Sequence, residues 1–403
     1  MPASFGDRKQ ALVITGSLLL FSVYSYETHR DLTHTILLSL TSVTTCYLYI
    51  HMVRQRKTAH YILAGILVGL GILSKYNFVF FPVALFVASL FSEEGRRVVL
   101  DKRIVLVLLC SALVLLPHLL WLAHMHFPSL HYAFIRAKAG EMASQPVSRT
   151  VSVVFSSYAE VLLFLLVTGI IFHSYFSRSE NRSDSLLRLF RQLAVCAMVI
   201  PLLVMALLGT GNFTGRWLAP CLFTLPFAIF SFIDMDRAKR RVRLLAAICL
   251  LIAVSVVIAR AVVGFLPDVT GKVERIHIPF DALSEELAQK LTARGIAPGQ
   301  VAVITGYGEN FMAANVMARI PGARLIRINE SLNERSVLTD IGRTGGIILY
   351  DKSKGIPEDM EKFLEADPVK PDEVAVSAPF MHSSGSASYV LKAVIIPRTV
   401  KGS

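Results

Sequence analysis

Charge is the commodity this chain has least of for its length. Asp, Glu, Lys and Arg make up only 17% of its 403 residues, against 54% hydrophobic ones, and the mean hydropathy is +0.56. A water-soluble chain of this size would carry more charge and would break its apolar runs into amphipathic pieces, so that class is excluded. Cysteine is sparse as well. Cys46, Cys110, Cys196, Cys221 and Cys249 each lie in or beside an apolar run with no close pair among them, which argues against disulfides and a zinc site. Arg8 and Lys9 precede an apolar run as in a signal sequence, yet no small-residue cleavage site follows. The first segment therefore reads as an uncleaved span.

What is present is a succession of apolar runs approaching the roughly 20 residues that a bilayer core requires. They fall near 11 to 26, 33 to 52, 60 to 74, 78 to 92, 104 to 123, 151 to 174, 193 to 210, 217 to 233 and 244 to 264, which predicts nine crossings in a membrane domain over 1–265. Drawn as one helix, His60 to Phe91 would be about 50 Å long, well beyond a hydrocarbon core of about 30 Å. Two short spans meeting at Lys75 fit instead. Gly65, Gly69 and Gly71 on the first of them suit close helix packing better than ligand binding.

The net charge of +12 does not point to nucleic acid, because the basic residues cluster in short loops beside spans. Eighteen fall in the loops around Arg8, Arg54–Lys57, Arg96–Arg103, Arg178–Arg191 and Arg237–Arg243; the opposite loops hold six, namely Arg30, Lys75, Arg136, Lys138, Arg149 and Arg216. The positive-inside rule then puts the amino terminus in the cytoplasm and the carboxy terminus outside.

The outer face thereby collects the ionisable groups lying away from the basic loops. Glu27, His29, Arg30 and Asp31 sit in a polar hairpin between the first two runs, and Lys75, His118 and Arg216 share their side. Charges at a membrane boundary are costly in lipid and tend to be functional. Acids beside cations suit a substrate with a phosphate at headgroup level and a tail in lipid: Arg30, Lys75 and Arg216 would hold the phosphate, Arg as a fork and Lys as a point charge. Asp31 or Glu27 would act as base, and Asp31 is also the candidate ligand for a divalent cation, Mg2+ or Mn2+. The bland alternatives are a solvated turn, a snorkelling Lys75 and an interfacial anchor at Arg216-Trp217. His118, His124, His126 and His131 lack the two-histidine helical spacing of a zinc enzyme.

Arg-Asp-Leu-Thr-His at 30–34, Gly-Leu-Gly-Ile-Leu-Ser-Lys-Tyr-Asn at 69–77 and Arg-Trp-Leu-Ala-Pro at 216–220, in that order, resemble a bacterial family 39 glycosyltransferase. That family has the GT-C fold, includes protein mannosyltransferases and the lipid A aminoarabinose transferase, and uses polyprenyl-phosphate sugars. The resemblance implies that Asp31 serves the metal or the acceptor site, that Lys75 is the lysine after the glycine-rich span, and that Arg216 contacts the lipid phosphate. The family also opens with an extra span and an outer loop bearing an Asp-Glu or Asp-Asp pair, the expected base. No such loop precedes Ala11, so the resemblance implies either coding sequence upstream of Met1 or a truncated relative.

Beyond Phe265 the composition changes. Val301–Thr305, Arg324–Ile328, Gly346–Tyr350 and Tyr389–Ile396 read as strands with helices between them, predicting a small periplasmic α/β domain over 266–403. Asp281 is expected to cap the helix ending near Gly295, with Glu285 and Glu286 in its first turn. Gly306-Tyr-Gly308 lacks the third glycine of a dinucleotide loop. The expected fold is thus a GT-C-like polytopic α-helical protein of the bacterial inner membrane. Its expected activity is transfer of a sugar from a polyprenyl-phosphate donor to a lipid, glycan or protein acceptor at the outer face. A noncatalytic scaffold and a lipid-linked sugar flippase are the rivals; the flippase would predict inverted repeats and midplane charges, which the sequence does not display.

Overall fold

The computed structural model describes residues 8–27, 34–124, 146–176, 185–208, 215–270, 275–305, 310–327, 346–351, 372–383 and 388–396. They form two compact units, Met1–Ile258 and Ala259–Ser403.

The first unit is helical. Five helices among the described residues are long and apolar enough to cross a membrane: His34–Arg54, Ile104–His124, Pro146–Phe172, Ser185–Leu208 and Lys239–Phe265. Thr58–Ser74 and Phe80–Leu90 are shorter apolar helices. Two of the nine predicted spans are broken. The run from Arg8 is α-helical to Gly16, tightens into a 3-10 turn over Ser17–Leu20, then restarts as a wider π-type turn over Val23–Glu27. The run after Gly215 is a 3-10 turn, Gly215–Leu218, followed by the short helices Ala219–Leu222 and Thr224–Phe230. Pro220 and Pro226, lacking an N–H, suit helix starts better than helix interiors.

Glycine sets the closest helix contact. A Cβ at Gly65 would lie 2.6 Å from the Val107 carbonyl oxygen, and one at Gly69 would lie 2.7 Å from Val114 Cβ. Thr58–Ser74 and Ile104–His124 therefore meet backbone against side chain, the arrangement small residues permit in lipid. The buried core is aromatic-rich, with Phe21, Phe78, Phe81, Phe164 and Phe172 fully enclosed. All five cysteines are free thiols.

Two groups of this unit's polar contacts stand out, and the first lies beside the basic loops. One joins Gln10 to Asp236, Gln192 to the Phe91 carbonyl, Arg191 to Ser231, and Phe176 to Ile233. In the same basic set Arg103 and Arg56 flank Asp101. Bonds from the Arg103 side chain and its own N–H hold the Asp101 carboxyl down at about 2. The other group is the candidate site.

The second unit is a five-stranded mixed sheet in the order β2-β1-β3-β5-β4. β1 (Ala302–Thr305), β2 (Arg324–Arg327) and β3 (Gly346–Asp351) run parallel, while β5 (Ser388–Ile396) pairs antiparallel with both β3 and β4 (Asp372–Pro379). Phe280–Thr292 and Asn310–Met317 close one face through Leu283, Leu287, Leu291, Met312 and Val316. Four strands fall where the sequence predicts them; β4 does not, because its buried Val374, Val376 and Ala378 are small and its start is Asp372-Glu373. Asp281 is not a cap. The helix begins at Phe280 behind Pro279 with no side-chain cap, and Asp281 pairs with Arg319 instead. Glu286 accepts from the Ser377 N–H and bridges Lys290, in the second turn rather than the first. Lys392 of β5 and Tyr350 of β3 both hold the Glu373 carboxylate of β4, lowering its pKa.

Candidate active site

Lys75 ends the Thr58–Ser74 helix in an extended conformation, its N–H bonded to the Gly71 carbonyl at 3.1 Å. The chain then reverses through the 3-10 turn Tyr76–Val79. Gly71 is what makes room for the reversal, since a Cβ there would lie 2.5 Å from the Phe78 ring. The turn thus presents a half-buried Lys75 at the end of a span.

Asn77, which is buried, carries that turn across to the second cation. Its Nδ2 donates to the Trp217 carbonyl at 3.0 Å and to the Arg216 carbonyl at 3.4 Å, while its Oδ1 has no hydrogen-bond partner among the described residues. The Phe80 and Trp217 rings pack 6.4 Å apart beside it. Lys75 and Arg216, 141 positions apart in the numbering, therefore stand on two turns fastened to each other. Arg216 is exposed. On the other flank Tyr76 Oη and His118 Nε2 are 2.8 Å apart, and His118 stacks on Trp121.

The Arg216 turn is held from a third direction. Tyr24 Oη donates to the Ala219 carbonyl at 2.7 Å. Tyr24 belongs to the π-type turn Val23–Glu27, and so does the backbone of Glu27. That turn is fixed to the Pro146–Phe172 helix by Glu160, whose Oε2 accepts from the Ser22 N–H at 3.0 Å and whose Oε1 accepts from the Ser22 hydroxyl. Four segments distant in sequence, around residues 24, 77, 160 and 217, converge at one end of the helices.

Of the residues predicted from sequence, Lys75 and Arg216 are brought onto joined turns, and the backbone of Glu27 lies on the segment that reaches them. Arg30 and Asp31 fall outside the described residues, as do His29 and most of the loop between His124 and Arg149. So does the Gly306–Gly308 segment. Among the described residues no group of three or more His, Cys, Asp and Glu is placed to hold a metal. Sequence reasoning missed Asn77 and Glu160. Glu160 was legible as an acid inside an otherwise apolar span, between Tyr158 and Val161.

Comparison with known proteins accords with this architecture. The model of the dolichyl-phosphate-mannose-protein mannosyltransferase family matches residues 3–121, which include the Lys75 turn. The lipopolysaccharide core galacturonosyltransferase RgtB of Rhizobium johnstonii is 26% identical over 95% of this chain and 77% of its own length. RgtA of the same organism, also named a lipopolysaccharide core galacturonosyltransferase, is 26% identical over 70% of this chain and 58% of its own. No solved structure matches the chain. The chain is a multi-pass membrane protein by its apolar helices. Over residues 3–121 it is similar to the protein mannosyltransferase family, and along most of its length to proteins named as glycosyltransferases.

Proposed function

We propose that the chain transfers a sugar from a polyprenyl-phosphate donor to a glycan or lipid acceptor at the outer face of the inner membrane. Lipopolysaccharide core is the first acceptor to test and galacturonic acid the first sugar, after the names of the two relatives. The observation that carries the reading is the Asn77 bridge, which joins the Lys75 and Arg216 turns at the end of the spans. A lipid-linked phosphate at headgroup level needs two cations there, one a point charge and one a planar fork.

In this mechanism an acceptor hydroxyl attacks the anomeric carbon while the bond from that carbon to the phosphate oxygen breaks. The hydroxyl proton passes to a carboxylate, with Glu27 and Asp31 as the proposed bases, and the negative charge left on the phosphate is stabilised by Lys75 and Arg216. Arg30 is a proposed third contact. Asp31 is also kept as a proposed ligand for Mg2+ or Mn2+, which chelation tests directly: activity should fall with EDTA and return with the metal.

The deciding experiment measures transfer and donor affinity for the chain in nanodiscs. Lys75→Ala and Arg216→Ala should each weaken donor binding by roughly tenfold or more, the effect of losing a charge-assisted hydrogen bond. Asp31→Asn should lower turnover with less effect on donor affinity, by about 100-fold if it is the base. Wild-type donor affinity in either cation variant would remove that residue from the phosphate site. Lipid-linked sugar crossing the bilayer without transfer would favour a flippase.

A further inference from the structure

The break at Phe21 leaves a backbone N–H to be satisfied where the helix restarts. Phe21 is extended, with φ −93° and ψ 128°. Its carbonyl accepts from the N–H groups of Tyr24 and Ser25, each at 3.0 Å, so a new helical segment starts there with Ser22 as its first residue. The N–H of a first helical residue has no partner within its own helix. Ser22 is exposed, and the acceptor its N–H finds is a protein group rather than water.

The acceptor is Glu160. Its carboxylate takes the Ser22 N–H on one oxygen and the Ser22 hydroxyl on the other, across 138 residues of sequence. One helical turn further along the same helix, Phe164 stacks on Phe21 with ring centroids 4.9 Å apart. The contact is an N-terminal cap supplied by a different helix. The segment it caps carries Glu27 and, through Tyr24, braces the Ala219 carbonyl three residues from Arg216.

We infer that Glu160 is a positioning residue: it caps the half-helix Val23–Glu27 in trans and so fixes the proposed base relative to the cation pair. The catalytic part of this inference rests on the glycosyltransferase reading above; the capping part does not. A carboxylate suits the task better than an amide because it can accept both Ser22 bonds at once and as a charged acceptor makes them stronger.

The test compares Glu160→Ala and Glu160→Gln with wild type, each as the full chain in nanodiscs, by amide hydrogen exchange and by transfer from polyprenyl-phosphate galacturonic acid. Exchange in a peptide spanning residues 20–27 should quicken about tenfold in Glu160→Ala and stay unchanged over 58–74. Gln keeps one acceptor oxygen and should recover most of the protection. The turnover number should fall about tenfold in the Ala variant with donor KM within about twofold, since Asn77 still pins the Arg216 turn. Unchanged exchange at 20–27 overturns the cap. Faster exchange throughout the helices reduces Glu160 to a general stabiliser. Local loosening with undiminished turnover overturns the positioning role. If the wild type transfers no sugar, the glycosyltransferase reading fails and the exchange result still decides the cap.

Discussion

The helix Ile104–His124 and strand β4 put apolar residues to opposite uses. In the helix only Ser111 and Leu122 are buried, and Leu113 is 67% exposed at its middle. In β4 exposure alternates strictly from Glu373 on, with Val374, Val376 and Ala378 inside and their neighbours outside. The helix can leave its leucines uncovered because lipid is as apolar as they are; the strand must hide every second side chain because its other face meets water. An exposed leucine in the middle of the helix is thus a membrane contact, while on β4 the apolar side chains are turned inward. Polar partners differ too: Asp372 and Arg294 pair on the surface of the second unit, while in the first the partly buried Glu160 takes a backbone N–H as its partner.

The contrast can be broken most forcefully with one charge. Leu113→Arg should cost about 3 kcal/mol of insertion free energy and visibly reduce the inserted fraction in a glycosylation-mapping assay. Gln289→Arg, on the exposed side of Phe280–Thr292, should move stability by no more than about 0.5 kcal/mol. Equal effects would remove the distinction between the units.

Packing comes next. Gly65→Val must displace the Val107 backbone or Cys110 and should destabilise by about 1–3 kcal/mol, read as a lower Tm in detergent.

An acid titration probes the water-facing rim. The Asp101 carboxyl is 10% exposed and bonded to Arg103, so its folded-state pKa lies near 2, below the roughly 4 of an unfolded chain. A lowered pKa stabilises the fold above the unfolded value, and that contribution fades as the pH falls from about 4 to about 2. Wild type should exceed Asp101→Asn by about 1–2 kcal/mol at pH 6, and the gap should close toward pH 2. A gap that persisted at pH 2 would mean the aspartate acts by shape, not charge.

The smallest effect is a gain. Among the described residues Gly169 has no neighbouring atom within 4 Å of a would-be Cβ, so Gly169→Ala should raise stability by up to about 1 kcal/mol. A loss there would show that lipid-facing glycines are held for some reason other than packing.

Much of this molecule was legible in the chain. Hydropathy marked the apolar segments because lipid burial needs only composition and length. Hydropathy could not mark the extended residue at Phe21 or the switch from a 3-10 turn to short α-helices after Leu218, since neither interruption changes the composition. Lys75 and Arg216 were legible as rare cations at span ends. Asn77 was not, because an amide becomes informative only once its two carbonyl partners are seen to come from residues 216 and 217. Glu160 is harder to read for a simpler reason: it lies in a span, where its partner Ser22 is 138 residues away. Asp281 misled because a good capping residue one place inside a helix has nothing to cap, and Arg319 claimed it.

The glycine contact between Thr58–Ser74 and Ile104–His124 also sets a timetable. The two helices are separated in sequence by Phe80–Leu90 and Glu93–Val99, so the glycine-bearing surface leaves the ribosome well before its partner exists. At about 5–20 residues per second, the roughly 50 residues from Gly65 to Val114 take several seconds to synthesise. For that interval Gly65 and Gly69 face lipid or the insertion machinery, and any other small-residue helix nearby can occupy their place. The Lys75 turn, and with it the Asn77 bridge to a segment made later still, can settle only when that wait ends. Slowing translation between residues 91 and 104 should therefore lengthen the period in which the nascent chain can be trapped by a competing helix.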